Sequence, residues 1–360
     1  MWMYELMVWC IKTSKKEGET IRRFLHEKEL LDSTYKIKII NKEIFLPIKR
    51  KLATNDLAEL NSLKISYAII DFNELEPARV HPKSHIEVLS KKLTDEELEI
   101  APRSFDTIGD IVVIEIPEPL WEKKIIIGES IIETFPSIKT VYAKSGKVSG
   151  VNRLRPIEFI VGEKKTKTIY KEHGIRLVVD IAKAYFSPRL SEEHNRIVNQ
   201  VKDDEVVVDL FSGIGPFVIP IAKKTKANLY AIDINADAIE LLKENIKLNK
   251  LKDEIIPFVG DCREVVKEQN LQNIADRVIM NLPGYAIDFI DVACKVLKKS
   301  GGIIHFFEFV KDENPELIIV DNFTEGVQKN KRVVKEILHV RRVRMSAPRQ
   351  WQMVVDALVE

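Results

Sequence analysis

The chain is 360 residues long, enough for two or three domains with at least one large core. Lys and Arg number 56 against 55 Asp and Glu; the net charge of +1 excludes an overall basic protein, so any nucleic-acid surface has to be local. Cys10, Cys262 and Cys294 form no C-x-x-C and the histidines are scattered singly, which argues against a disulfide framework and a metal cluster. No apolar run approaches bilayer length, and the expectation is a soluble, cytoplasmic protein without membrane or metal partners.

In chain order, residues 4–12 alternate as a strand, and Ile21, Phe24, Leu25 and Leu31 give a helix over 18–31. Residues 36–47 read as a hairpin around Asn41, followed by a short helix over 57–63 and a strand over 65–71. These make a small α/β domain, 1–73. Residues 74–83, with Pro77 and Pro82, read as a linker. A middle α+β domain over 84–184 offers a helix at 94–100, a strand at 108–116 and a helix at 119–135. Short strands follow at 140–143, 157–161, 166–170 and 176–180. Between Lys144 and Arg176 nine Lys or Arg face three Glu, with Tyr142, Phe159 and Tyr170 interleaved, a local excess suited to a phosphate backbone.

The third domain, 185–360, opens with a helix over 191–200 capped by Ser191 and carrying Glu193 and His194 in its first turn. Val206-Val-Val-Asp-Leu-Phe-Ser-Gly-Ile-Gly-Pro-Phe217 then reads as a buried strand that ends in an acid and turns through Gly213 and Gly215 into a helix. Position 218 is Val where a dinucleotide loop asks for a third glycine, so NAD is disfavoured. Three further strands end in Asp233, Asp261 and Asn281. At the carboxyl ends of a parallel sheet all four polar residues would face one crevice. A helix at 286–297 and a strand at 303–309 follow. Two closing strands, at 333–340 and 352–358, suggest an antiparallel hairpin at one edge of a mostly parallel seven-stranded sheet.

The series Asp-x-Phe-x-Gly-x-Gly, Asp, Asp and Asn281-Leu-Pro283 resembles class I S-adenosylmethionine-dependent methyltransferases, whose catalytic domain is Rossmann-like. Taken with Asn152-Arg-Leu-Arg155, Tyr185-Phe-Ser-Pro-Arg189 and Ala347-Pro-Arg349, the sequence is similar to the archaeal and eukaryotic tRNA (guanine-N1)-methyltransferases. These act on the purine 3′ of the anticodon, position 37. The resemblance implies S-adenosyl-L-methionine as cofactor, tRNA as partner, a monomer, and an N-terminal domain that meets the tRNA elbow. Within that family Glu193 would be the general base, Arg153 would stabilise O6, Asn281 and Pro283 would orient the base, and Tyr185 would line its pocket. The cofactor would lie against Asp209, Phe211, Gly213, Gly215, Asp233, Ile234, Asp261, Cys262, Arg263 and Asn281. His194 stands where the family often carries Arg. A wyosine precursor (4-demethylwyosine) at the same position is the alternative substrate, an rRNA or protein nitrogen is a more distant one, and a non-catalytic RNA-binding protein is the rival of another class.

Overall fold

The computed structural model describes residues 8–78, 82–146, 150, 153–251 and 254–360, which form two compact units, Met1–Lys83 and Ser84–Glu360. In the first, β1 (Val8–Ser14), β2 (Lys38–Ile40), β3 (Glu43–Pro47) and β4 (Tyr67–Phe72) make an antiparallel sheet in the order β2-β3-β1-β4. Asn41 and Lys42 both take positive φ, as a two-residue hairpin turn demands. Helices Gly18–Glu27 and Thr54–Ser62 bury Ile21, Leu25 and Leu60 with Ile11 and Leu46 of the sheet. Residues 74–78, expected as linker, are tied to this unit instead. Lys36 N donates to Glu76 O at 2.8 Å and Ala78 N to Thr34 O at 2.7 Å. The expected strand residues 4–7, linker residues 79–81 and Asn152 lie outside the described residues.

In the second unit β5 (Phe105–Ile108), β6 (Ile111–Ile114), β7 (Thr140–Lys144) and β8 (Ile157–Gly162) form a mixed sheet. The single strand expected over 108–116 is divided, because Gly109, at φ +58°, turns the chain between β5 and β6. The helix expected over 119–135 starts as a 3-10 turn, Glu118–Lys123, and continues as Lys124–Thr134, packing Ile127 and Ile131 with Val141 and Ile160. The hairpin of β9 (Lys167–Glu172) and β10 (Ile175–Asp180) is fastened to helix Ala236–Leu248. Asn245 Oδ1 accepts from Val178 N at 2.6 Å and Asn245 Nδ2 donates to Val178 O at 3.2 Å.

The large sheet joins β11 (Val206–Asp209), β12 (Asn228–Asp233), β13 (Ile255–Val259), β14 (Arg277–Met280), β15 (Gly302–Val310), β16 (Val334–Ala347) and β17 (Gln350–Val359) in the order β13-β12-β11-β14-β15-β17-β16. The first five are parallel, and β17 inserts antiparallel between β15 and β16. Apolar residues are buried on both faces, which is why β11 and β14 read as continuous hydrophobic runs. Helix Pro315–Lys329 was not anticipated. Proline at its first turn and Ile319, Phe323 and Val327, all fully buried at four-residue spacing, carry its signal. Strand order reverses between β12, β11 and β14, so the carboxyl ends of these strands open a crevice at the switch point.

Candidate active site

The crevice is lined by Tyr185, Phe211, Gly213, Asp233, Ile234, Asp261, Cys262, Asn281 and Pro283, with Arg153 from the segment before β8. Ten of the residues expected at the site thus share one hollow, counting Arg153 with these nine. Glu193, Asp209, Gly215 and Arg263 are not in its lining. Phe289, Phe309 and Gln352, from a helical turn, β15 and β17, line it without having been anticipated, and Leu282 joins them from within the Asn281-Leu-Pro283 motif.

The two glycines do different work. Gly213, at φ +52°, donates its N–H to Asp233 Oδ2 at 2.7 Å, and a Cβ built on it would approach nothing closer than Tyr185 O at 3.9 Å, so a ligand can lie against its backbone. A Cβ on Gly215, at φ +92°, would stand 2.5 Å from Leu242 Cδ1. That glycine admits the helix of Leu242 to the loop.

Asp209 is fully buried. Oδ1 accepts from Phe211 N at 3.2 Å, Oδ2 has no partner, and burial pushes the carboxyl up to about 8, so it is largely protonated at neutral pH. It holds the loop through Phe211 N, outside the lining of the hollow. Asp233 accepts from Gly213 N and, at 2.9 Å, from Asn235 N; burial raises its carboxyl too. Beside it Ile234 is 45% exposed, an apolar face open to a planar ring. Asp261 caps helix Cys262–Glu268, accepting from Arg263 N at 2.8 Å. Burial drives the Cys262 thiol up to about 12, so it is packing and not a nucleophile. The Arg263 guanidinium stacks 3.9 Å from the Phe289 ring, which meets Phe211 edge-on, so Arg263 braces the aromatic wall from outside the hollow.

Opposite this nucleoside-shaped half, Asn281 follows β14 and its Oδ1 is buried without a partner. Glu308 of β15 holds the loop that follows. It accepts from Gly284 N, from Phe309 N at 2.7 Å and from Ile287 N at 3.4 Å. Arg153 lies over the Tyr285 ring at 5.9 Å, and burial holds its guanidinium below its ordinary value against the opposing pull of Tyr185, Glu308 and Tyr285. Tyr185 OH accepts from Arg344 Nη2 at 3.3 Å.

Other expectations for this region are revised. Ser191 does not cap its helix; a 3-10 turn, Pro188–Leu190, precedes Ser191–Val198, and Ser191 Oγ meets His173 Nε2 at 2.9 Å. His194 lines the hollow and Nδ1 lies 2.9 Å from Glu172 Oε1, both side chains buried. The basic stretch is partly neutralised: Lys144 meets Asp106 at 3.4 Å, Lys165 meets Asp110 at 2.7 Å and Lys167 meets Glu244 at 2.8 Å. Lys144, Arg153, Arg155, Arg189 and Arg344 nevertheless line a second groove beside the hollow, against Asp106 and Glu115. Lys147 lies outside the described residues.

The sheet order, the strand-end acids and the open glycine loop define a Rossmann-like methyltransferase of class I. Residues 168–348 match the TRM5/TYW2 methyltransferase domain, residues 86–166 the TYW2 N-terminal domain and residues 10–55 the tRNA methyltransferase 5 N-terminal domain. The chain belongs to the TRM5/TYW2 methyltransferase family. It is 39% identical over 351 residues to tRNA (guanine(37)-N(1))-methyltransferase Trm5b of Pyrococcus abyssi, covering 97% of this chain and 98% of that one. It is 41% identical over 350 residues to Trm5b of Methanocaldococcus jannaschii, covering 96% and 97%. Among solved structures, aTrm5 in complex with tRNALeu superposes with a TM-score of 0.72 at 39% identity, covering 98% of this chain and 99% of that one. M. jannaschii TYW2 in complex with AdoMet gives 0.56 at 31% identity, covering 71% of this chain and 99% of that one.

Proposed function

We propose that this chain transfers a methyl group from S-adenosyl-L-methionine to N1 of guanine 37 in tRNA. The observation that carries the reading is the pairing, in one hollow, of a nucleoside half with a base-reading half. Asn281 Oδ1 is buried and unpartnered, and Arg153 lines the same hollow. A buried amide oxygen without a donor is costly unless a ligand supplies one, and a purine edge does.

The residues present fit the cofactor. Gly213 leaves room at its backbone, Asp233 retains lone pairs for ribose hydroxyls, Ile234 and Phe289 offer apolar faces to adenine, and Asp261 stands at the rim. When bound, S-adenosylmethionine supplies a methyl carbon made electrophilic by its sulfonium. The chain's part is to hold and deprotonate the guanine. Glu193 takes the N1 proton, so the N–H pair is free to form the N–CH3 bond while the carbon–sulfur pair leaves with sulfur. Arg153 meets the charge that develops on O6, and Asn281 with the loop of Pro283 fixes the ring plane. Glu193 stands outside the lining, 1% exposed, in the turn that carries Leu190 and His194 into it. A small side-chain or substrate movement is therefore part of the reading, as unliganded sites commonly require. The target base has to leave its stack to enter, and the basic groove gives the flanking backbone a path.

Full-length protein with labelled cofactor and tRNA transcripts carrying guanosine, inosine or adenosine at position 37 tests this. Label is expected with guanosine and inosine, and none with adenosine. Label on adenosine, or only on a tRNA bearing 4-demethylwyosine, overturns it.

A further inference from the structure

Seven side chains run in line from Glu205 at the rim of the sheet through Glu193 to Arg341; Arg277, His305, Asp356 and Glu193 are buried, and Glu205, Arg196 and Arg341 partly exposed. Arg277 donates from Nε to Glu205 Oε2 at 2.9 Å, and its Nη1 lies 2.7 Å from His305 Nε2. His305 Nδ1 lies 2.7 Å from Asp356 Oδ1. Asp356 also takes both terminal nitrogens of Arg196, Nη1 on Oδ2 and Nη2 on Oδ1 at 3.2 Å, and Gln200 Nε2 at 3.3 Å. Arg196 Nε then donates to Glu193 Oε2 at 2.8 Å. The last member, Arg341, brings its Nε within 3.1 Å of Glu193 Oε1, off the line a hydrogen bond needs, so Oε1 has a countercharge and no donor.

The sense of this line is fixed by its chemistry. A guanidinium only donates, so His305 Nε2 accepts from Arg277 and the proton sits on Nδ1, facing Asp356. Burial lowers His305, keeping it neutral. Burial opposes the charge on Asp356, but His305 and Arg196 outweigh it and hold the carboxyl well below the usual range. Both arms of Arg196 are thereby committed to Asp356, and only Nε remains for Glu193. Three carboxylates and three guanidiniums balance along the line. Such buried ion pairs are poor stabilisers compared with apolar packing, because desolvation offsets their attraction; what they do well is fix one geometry.

We infer that Arg196 is the positioning residue for Glu193: clamped by Asp356, it occupies Oε2 and leaves Oε1 as the one oxygen able to take the guanine N1 proton. Arg341, on β16 and 36% exposed, supplies countercharge that an RNA phosphate can draw away, freeing Oε1 as substrate arrives. The inference rests on the reading of Glu193 as the base.

The test is single-turnover methylation of guanosine-37 tRNA by full-length Arg196→Lys and Asp356→Asn, each in the native and Glu193→Gln backgrounds. Calorimetric cofactor binding on every variant shows that the crevice has formed. Each substitution is expected to slow the methyl-transfer step by roughly 10- to 100-fold in the native background and by less than about twofold once Glu193 is Gln. The KM for tRNA stays within about twofold, as for a group felt only in the transition state. Equal losses in both backgrounds overturn the positioning role and leave the base intact. A full rate for Glu193→Gln alone overturns the base reading and this inference with it.

Discussion

At the scale of single residues, the acids that close the strands were legible because a nucleoside's hydroxyls and amino group demand acceptors, and a parallel sheet delivers them to one side. Asp233→Ala therefore raises the cofactor dissociation constant by about tenfold to a hundredfold, the worth of charge-assisted hydrogen bonds, measured by titration calorimetry; an unchanged constant rules out its ribose role. Asp209 looks identical in sequence and behaves differently. Its folded carboxyl sits at about 8, above the ordinary 3.8, so it weakens folding as pH rises from about 4 to about 8 and adds nothing further beyond. In Asp209→Asn the advantage over the native chain should grow through that window and then level off, as followed by denaturant unfolding at several pH values. Arg196, three residues from Glu193 on one helix, was within reach of a sequence reading, but its clamp was not: Asp356 lies 160 residues from Arg196 in sequence.

At the scale of elements, the pattern Asp-x-Phe-x-Gly-x-Gly fixed where the loop lies but not which glycine serves the ligand. Gly215→Ala must place a Cβ 2.5 Å from Leu242 Cδ1 at φ +92°, and should cost about 1–3 kcal/mol of stability in thermal unfolding. A variant as stable as the native chain refutes the close approach of that helix. Helix Pro315–Lys329 escaped a reading by apolar runs because its one run, Leu317-Ile-Ile-Val320, is short and the rest of its buried face is Phe323 and Val327, single residues among polar ones. The division of 108–116 into two strands was carried by one glycine, which a hydrophobic run conceals. Glu308, anchoring the turn after Asn281, was silent because a lone acid inside an apolar strand announces nothing about the backbone it will hold.

At the scale of the molecule, the first unit has its own core, built on Ile11, Ile21, Leu25, Leu46 and Leu60. We propose that it meets the elbow of the tRNA, a reading supported by the match of residues 10–55 to the tRNA methyltransferase 5 N-terminal domain. Removing residues 1–83 should raise the KM for full-length tRNA by about tenfold or more, through loss of a linked contact, and leave the KM for an anticodon stem-loop unchanged. Equal KM values for full-length tRNA before and after removal would assign the unit some other role. The order β15-β17-β16 has a further consequence for how the chain comes to be made. Among the described residues strand β16 pairs only with β17, which follows it in sequence, so in a growing chain the backbone of these fourteen residues waits unpaired until its companion emerges. Lys335, Arg341, Arg342 and Arg344 put charge along that ribbon during the wait; in the finished sheet the first three meet Glu360, Glu193 and Glu316, so its outer border is charged rather than apolar, which disfavours the addition of another copy.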